Sequence, residues 1–349
     1  MRDLTTLAPI AHGGGLSDAC RRFGGQPSDW LDLSTGINPL APAVPSIDPN
    51  AWQRLPDRDA LVAAELAAAR FYGAPAGIRP VALAGTQSAI QILPRLATVG
   101  TVAILSPTYG EYARSFAANG WTMREVPSVG DIGSDVTAAV MVNPNNPTGR
   151  VVAPADLMSR AKSLSARSGM LIVDEAFADL DPAISCVPMV GEVPGLIVLK
   201  SFGKFFGLAG IRLGFALADQ AIEAALRAHL GPWAVSGPAL AIGTDLLDRR
   251  DLHHVLCATI RERNQATSEV LRRAGLSIIG DGGLFLLVEQ PCASALHEHL
   301  AKNHILVRAF DHAPIWLRFG LTADDSAATR LAEALRSFAH REERRRHAP

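Results

Sequence analysis

Between residues 81 and 230 of this 349-residue chain, short apolar runs are interspersed with segments whose apolar residues recur at helical spacing. The runs 81–84, 101–105, 136–142, 170–173, 196–199 and 213–217 read as strands, and 86–96, 109–118, 154–168 and 218–230 as helices. A further helix is predicted over 59–71. Short buried strands alternating with amphipathic helices predict an α/β fold on a mostly parallel sheet. After Pro238 the pattern changes. One long helix over 239–274 is expected, then strands at 276–279, 284–288, 305–308 and 316–319, and helices at 293–303 and from residue 323. These suit a smaller α+β lobe. The first fifty residues are rich in Gly, Pro, Ser and Asp and carry one short strand near 30–34, too little pattern for a domain.

Composition narrows the function classes. Lys and Arg number 33 against 34 Asp and Glu, a formal charge of −1, so nothing electrostatic points to nucleic acid or an anionic membrane. Cys20, Cys186, Cys257 and Cys292 are scattered without a C-x-x-C pair, so no metal site or redox motif is expected. No signal-peptide pattern is evident at the start, and a reducing cytoplasm is the expected setting. The most apolar stretch, 196–218, is broken by Lys200, Lys204 and Arg212, so it reads as strand and turn rather than membrane span.

Ligands of open parallel sheets bind beyond the carboxyl ends of the strands. Four such points stand out. Gly85-Thr86-Gln87 opens a helix after a strand and suits a phosphate, though an ordinary turn capped by Thr86 has the same residues. Asn143-Pro144-Asn145-Asn146-Pro147-Thr148-Gly149 is a constrained turn with side-chain amides. Asp174 ends an apolar strand, where a carboxylate serves as metal ligand, helix cap or partner of a cofactor nitrogen. Lys204 lies among aromatics and glycines near Arg212, a setting for a Schiff-base lysine or for one snorkelling to the surface, while Lys200 reads as structural. Together they match the needs of pyridoxal phosphate: a lysine, an acid beside the pyridine nitrogen, and a phosphate cup. Asp174 would keep the ring nitrogen protonated, Arg212, Ser201 and Gly85-Thr86 would hold the phosphate, Asn146 the 3′-oxygen, and Tyr109 would stack on the ring.

On these residues the chain resembles the fold-type I pyridoxal-phosphate enzymes of the class I/II aminotransferase family, over nearly its whole length. The most specific pieces are Asn145-Asn146-Pro147-Thr148-Gly149, Asp174-Glu175-Ala176-Phe177, and Lys204 to Arg212. The resemblance implies a large domain with a mostly parallel seven-stranded sheet over 46–238 and a small α+β domain over 239–349. It implies an arm over 1–45 that joins the small domain. It also implies a homodimer, catalytic roles for Lys204 and Asp174, a cofactor contact at Gln87, and a carboxylate grip by Arg318.

Within the family, histidinol-phosphate aminotransferases share these motifs. Here, however, Leu55 stands in their Arg-Tyr-Pro-Asp signature, Phe177 replaces a tyrosine, and Gly203 a serine. The arm is instead similar to that of the L-threonine O-3-phosphate decarboxylases of cobalamin biosynthesis: His12-Gly13-Gly14, Trp30-Leu31-Asp32-Leu33-Ser34 and Gly36-Ile37-Asn38-Pro39. This implies decarboxylation of that phosphorylated amino acid to (R)-1-amino-2-propanol O-2-phosphate. Arg308 and the His12–Gly14 backbone would bind the phosphate, Arg318 and Asn38 the carboxylate; the swapped assignment also fits. Lys204 would carry the proton to Cα. A DNA-binding regulator with an aminotransferase-like sensor is disfavoured, because the first fifty residues are neither helical nor basic in pattern.

Overall fold

Five-residue apolar runs covered on both faces form the centre of the sheet, and the strands they make are buried throughout. The computed structural model describes residues 12–346, with side chains to residue 341. The start of the arm and the end of the arginine-rich tail lie outside the described residues. The strands are β1 (Leu31–Asp32), β2 (Val81–Leu83), β3 (Thr101–Leu105), β4 (Thr122–Val126), β5 (Ala138–Val142), β6 (Met170–Asp174), β7 (Leu196–Ser201), β8 (Gly214–Leu217), β9 (Ser277–Asp281), β10 (Phe285–Glu289), β11 (Ile305–Leu306), β12 (Arg308–Ala309) and β13 (Trp316–Gly320). The helices are α1 (Leu16–Phe23), α2 (Asn50–Gln53), α3 (Arg58–Tyr72), α4 (Thr86–Ile92), α5 (Glu111–Ala118), α6 (Pro154–Ser165), α7 (Phe202–Phe205), α8 (Gln220–Leu230), α9 (Gly237–Asp248), α10 (Arg250–Arg273), α11 (Ala293–Lys302) and α12 (Asp325–Arg346).

The chain forms two compact units. The first, residues 41–146 and 150–256, holds a seven-stranded sheet in the order β2-β8-β7-β6-β5-β3-β4. Strands β3 to β7 run parallel, and β8 is antiparallel to both β7 and β2. The apolar cluster of Ile104, Tyr112, Phe116, Val140, Ile172 and Leu199 packs α5 onto it. The parallel strands end together, so Asn143, Asp174 and Ser201 leave the sheet on one side, as the register Val142↔Asp174 and Asp174↔Leu199 requires.

The second unit, residues 12–40, 147–149 and 257–346, has an antiparallel sheet in the order β12-β13-β10-β9 and a parallel pair, β1 with β11. Leu286, Val288, Leu296, Leu317, Phe319 and Leu331 fill its core. Gly149 and Thr148 belong here: a Cβ on Gly149 would lie 2.3 Å from the Asp281 carbonyl oxygen, and Gly149 has φ +69, so only glycine fits.

Four expectations are corrected. The long helix over 239–274 is two helices, because Arg249 leaves helical geometry at φ −86, ψ 85. Asp248, just before the break, is tied to Arg70 of α3 at 2.7 Å. The strand over 305–308 is two, β11 pairing with β1 and β12 with β13. Strand β4 has no counterpart in the sequence reading because its Thr-Met-Arg-Glu-Val, with only Val126 buried, carries no apolar run. Helix α1 was not expected either; it buries only Ala19, and Trp30 and Ala301 pack with it.

Candidate active site

Burial at the end of β6 leaves Asp174 only 4% exposed, and a carboxylate so placed needs donors. Tyr112 of α5 donates its hydroxyl to Oδ2 at 2.7 Å, and the Ala176 amide donates to Oδ1 at 3.0 Å. Burial pushes the Asp174 carboxyl up; the Tyr112 and Ala176 hydrogen bonds and the charge of Lys204 oppose that push, and Glu175 adds to it.

Lys204 sits in α7, the single turn that follows β7, with Phe202, Gly203 and Phe205 buried around it while it remains partly exposed. Its Nζ is 5.9 Å from the centre of the Phe177 ring. Glycine before the lysine is a packing requirement, since a Cβ at Gly203 would lie 2.6 Å from Ala209 Cα. Lys200 is different. It is buried, with Nζ 3.0 Å from Glu175 Oε2 and 2.8 Å from Asp179 Oδ1. Burial works to lower its ammonium, but Asp179 and Glu175 outweigh that and hold it above the ordinary lysine range. An ammonium so held is no nucleophile.

Arg212 adopts the left-handed backbone region, φ 56 and ψ 59, which non-glycine residues seldom occupy. Its guanidinium lies against Gly85, itself at φ +76: a Cβ there would be 2.6 Å from Nη2. Thr86 follows, its amide nitrogen 3.0 Å from where a Cβ on Gly214 would stand, so that glycine also keeps this corner open. Ser201 precedes α7 and is partly exposed.

Gln87 is engaged at both ends of its amide, accepting from Tyr109 Oη at 3.2 Å and donating to Glu111 Oε2 at 3.1 Å. It therefore steadies the Tyr109 ring. Burial, then the charges of Glu111 and Asp174, push the Tyr109 phenol up to about 12, with Arg212 opposing. In the Asn turn, Asn143 closes the loop through paired bonds with Val152, at 3.1 Å and 2.8 Å. Asn145 accepts from Thr108 Oγ1 at 2.6 Å and donates to the Pro107 carbonyl at 2.9 Å. Both are buried scaffold amides, and Asn146 is the partly exposed asparagine of the three.

In the second unit, Arg308 and Arg318 are directly opposite each other on β12 and β13, so their side chains leave the sheet on the same face. Arg318 is buried, donates Nη2 to the Ser34 carbonyl at 2.7 Å, and lies 5.2 Å from the Phe285 ring centre. Burial and then the like charge of Arg308 bring its guanidinium down to about 10, with Asp32 opposing, so it stays cationic at neutral pH. Burial also lowers the Arg308 guanidinium. Ser34 is a junction: its Oγ accepts from the Gly14 amide at 2.7 Å and donates to Asp32 Oδ1 at 2.6 Å. A Cβ on Gly13 would come 2.3 Å from the Ser34 carbonyl oxygen. His12 is exposed, Gly36 is buried, and buried Asn38 accepts from the Leu40 amide through Oδ1 at 2.9 Å.

The structure thus gathers Gly85, Thr86 and Arg212 at one corner of the first unit, and Asp174 with Tyr112 at the end of β6. It gathers Gly13, Gly14, Ser34 and Arg318 in the second unit. Tyr112 was not singled out from sequence, and Ser34 stood there only as part of the arm motif, with no role. The only trace of Tyr112 is a tyrosine at a buried helical position, which needs an acceptor.

The profile described as "Aminotransferase class I and II" matches residues 28–335. The chain is 49% identical to a threonine-phosphate decarboxylase of Sinorhizobium sp, covering 94% of this chain and 98% of that protein. It is 44% identical to a threonine-phosphate decarboxylase of Pseudomonas aeruginosa, again over 94% of this chain and 98% of the relative. Among solved structures, a histidinol-phosphate aminotransferase from Sinorhizobium meliloti in complex with pyridoxal-5'-phosphate superposes with a TM-score of 0.80 at 19% identity. That match covers 97% of this chain and 98% of that one, a likeness of fold.

Proposed function

This chain belongs to the class I and II aminotransferase family, and on that basis we propose that it is a pyridoxal-phosphate-dependent decarboxylase of L-threonine O-3-phosphate. The reaction releases the carboxylate as carbon dioxide and replaces it at Cα by a proton, leaving (R)-1-amino-2-propanol O-2-phosphate. The observation that carries this reading is the agreement of the two relatives over 94% of the chain.

The residues of the first unit fit the cofactor. The bare glycine Cα of Gly85 lets the Arg212 guanidinium come close to the start of α4, a positive charge suited to a phosphate, and a buried carboxylate held by two donors suits a ring nitrogen. Bound there, pyridoxal phosphate supplies a sink for the electron pair left at Cα. Arg212, Ser201, Gly85 and Thr86 would hold the phosphate, Asp174 the ring nitrogen, and Asn146 the 3′-oxygen. Tyr109, steadied by Gln87, would stack on the ring. Lys204 would hold the cofactor covalently, and its released amine would be the group placed to bring a proton to Cα.

Two like charges facing each other on neighbouring strands repel, and a ligand with two anionic groups relieves that. L-threonine O-3-phosphate has a carboxylate and a phosphate. We assign the carboxylate to Arg318 and Asn38. The phosphate goes to Arg308 and to the backbone of His12, Gly13 and Gly14, with Gly36 shaping the loop between. Cleavage needs the Cα–carboxylate bond perpendicular to the cofactor ring, and anchoring the substrate at a remote phosphate sets that rotation.

We further assign the enzyme to the cytoplasm, to the making of the aminopropanol linker of cobalamin, and to a homodimer. The dimer is supported by Trp52, Leu55 and Trp233, large apolar side chains 68%, 65% and 60% exposed. Among the described residues no helix is long and apolar enough to cross a membrane.

The test supplies purified protein with pyridoxal phosphate and L-threonine O-3-phosphate and follows carbon dioxide. A parallel reaction with histidinol phosphate and 2-oxoglutarate follows glutamate. Carbon dioxide without glutamate is expected; glutamate without carbon dioxide would replace this reading by an aminotransferase.

A further inference from the structure

We propose that Tyr112 is a positioning residue for the cofactor: its hydroxyl, donated to Asp174 Oδ2 at 2.7 Å, holds that carboxylate in the orientation and charge that a protonated ring nitrogen requires. The inference rests on the cofactor named above and on nothing about the substrate.

Tyr112 is 0% exposed, in the apolar cluster that packs α5 on the sheet. A phenol there must find an acceptor, and a carboxylate at the end of β6 must find donors. Each meets the other's need. The two protein donors take one lone pair on each oxygen of Asp174, Tyr112 on Oδ2 and the Ala176 amide on Oδ1. A carboxylate has about four such positions, so others remain for a cationic N–H. The titratable and charged groups acting on Asp174 are Tyr112 and Tyr109 from the α5 side, Glu175 beside it and Lys204 beyond β7. Among the influences that oppose its burial, the Tyr112 hydrogen bond is the largest. Burial, and then the Asp174 charge, hold the Tyr112 phenol well above its ordinary range, so it stays protonated and remains a donor.

Replacing Tyr112 by phenylalanine removes the donor and keeps the ring that packs the core. The carboxylate then takes up a proton more easily, and a neutral acid cannot pair with a pyridinium. Apoprotein and its Tyr112→Phe variant are titrated with pyridoxal phosphate at several pH values by equilibrium dialysis. The same titration uses the 1-deaza analogue, in which carbon replaces the ring nitrogen. Binding of pyridoxal phosphate should weaken about tenfold in the variant, the scale of one hydrogen bond to a charged group. The weakening should grow toward acid pH, and binding of the deaza analogue should not change. Equal weakening of both ligands, or no weakening, overturns the proposal. If neither protein binds pyridoxal phosphate, the cofactor assignment fails with it. Should the variant not fold, 3-fluorotyrosine incorporated in place of Tyr112 gives a stronger donor of the same shape. Retention of pyridoxal phosphate should then extend to lower pH, and an unchanged pH profile overturns the proposal.

Discussion

Arg308 and Arg318 are brought opposite each other by the register of β12 and β13 alone. Each would be unremarkable in isolation; placed opposite one another, they repel, and Arg318 is buried as well. In the function proposed above, the two anionic groups of the substrate lie against this pair. Arg308→Ala should raise KM for L-threonine O-3-phosphate by about tenfold or more, the loss of a charge-assisted hydrogen bond. Its affinity for pyridoxal phosphate should be unchanged. Steady-state kinetics beside a cofactor titration checks this, and a normal KM would move the substrate phosphate to another anchor.

Strands and turns decide where the cofactor groups stand. Gly85 leads from β2 into α4 with φ +76, and Arg212 leads into β8 with φ 56, so two left-handed residues shape the same corner. Gly85→Ala adds backbone strain and pushes on the Arg212 guanidinium. We expect a loss of about 1 kcal/mol in apoprotein stability, and a larger proportional loss in pyridoxal phosphate affinity, read by urea unfolding and dialysis. The loop after β6 is anchored by Lys200 between Glu175 and Asp179, with Ser185 Oγ and the Cys186 amide completing Glu175. Lys200→Met leaves two buried carboxylates facing each other and should cost about 3–5 kcal/mol at neutral pH. Burial raises the Asp179 carboxyl, so the folded protein takes up a proton there more readily than the unfolded chain. In the variant that proton replaces the missing cation below the raised value, and the stability deficit should shrink as pH falls. Unfolding curves at several pH values measure it.

The apolar surface of the first unit bears on assembly. Trp233 lines a cavity of about 290 Å³ with Pro56, Arg58 and Arg227, and Trp52 and Leu55 lie just before Pro56 in sequence. If these exposed side chains sit at the proposed dimer contact, a partner would cover them. The protein should sediment near twice its chain mass of 37.0 kDa. Trp52→Glu with Trp233→Glu should shift it to the monomer in analytical ultracentrifugation.

The amino-acid sequence by itself determined the α/β class, most strands of the large sheet and the identity of the cofactor, because these depend on local periodicity and on motifs that are contiguous in the chain. Asp174, Lys204 and Arg212 stand out as candidates because each sits in such a motif. What depended on packing was not. The break at Arg249 follows an ion pair between residues 178 positions apart. Strand β4 is an exposed edge without an apolar signature, and Gly203 answers to Ala209 rather than to chemistry. Only the tertiary structure opposed Arg308 to Arg318 across a strand pair and set Tyr112 against Asp174, 62 residues away. A hydrogen bond between distant buried groups leaves no spacing in the sequence from which to read it.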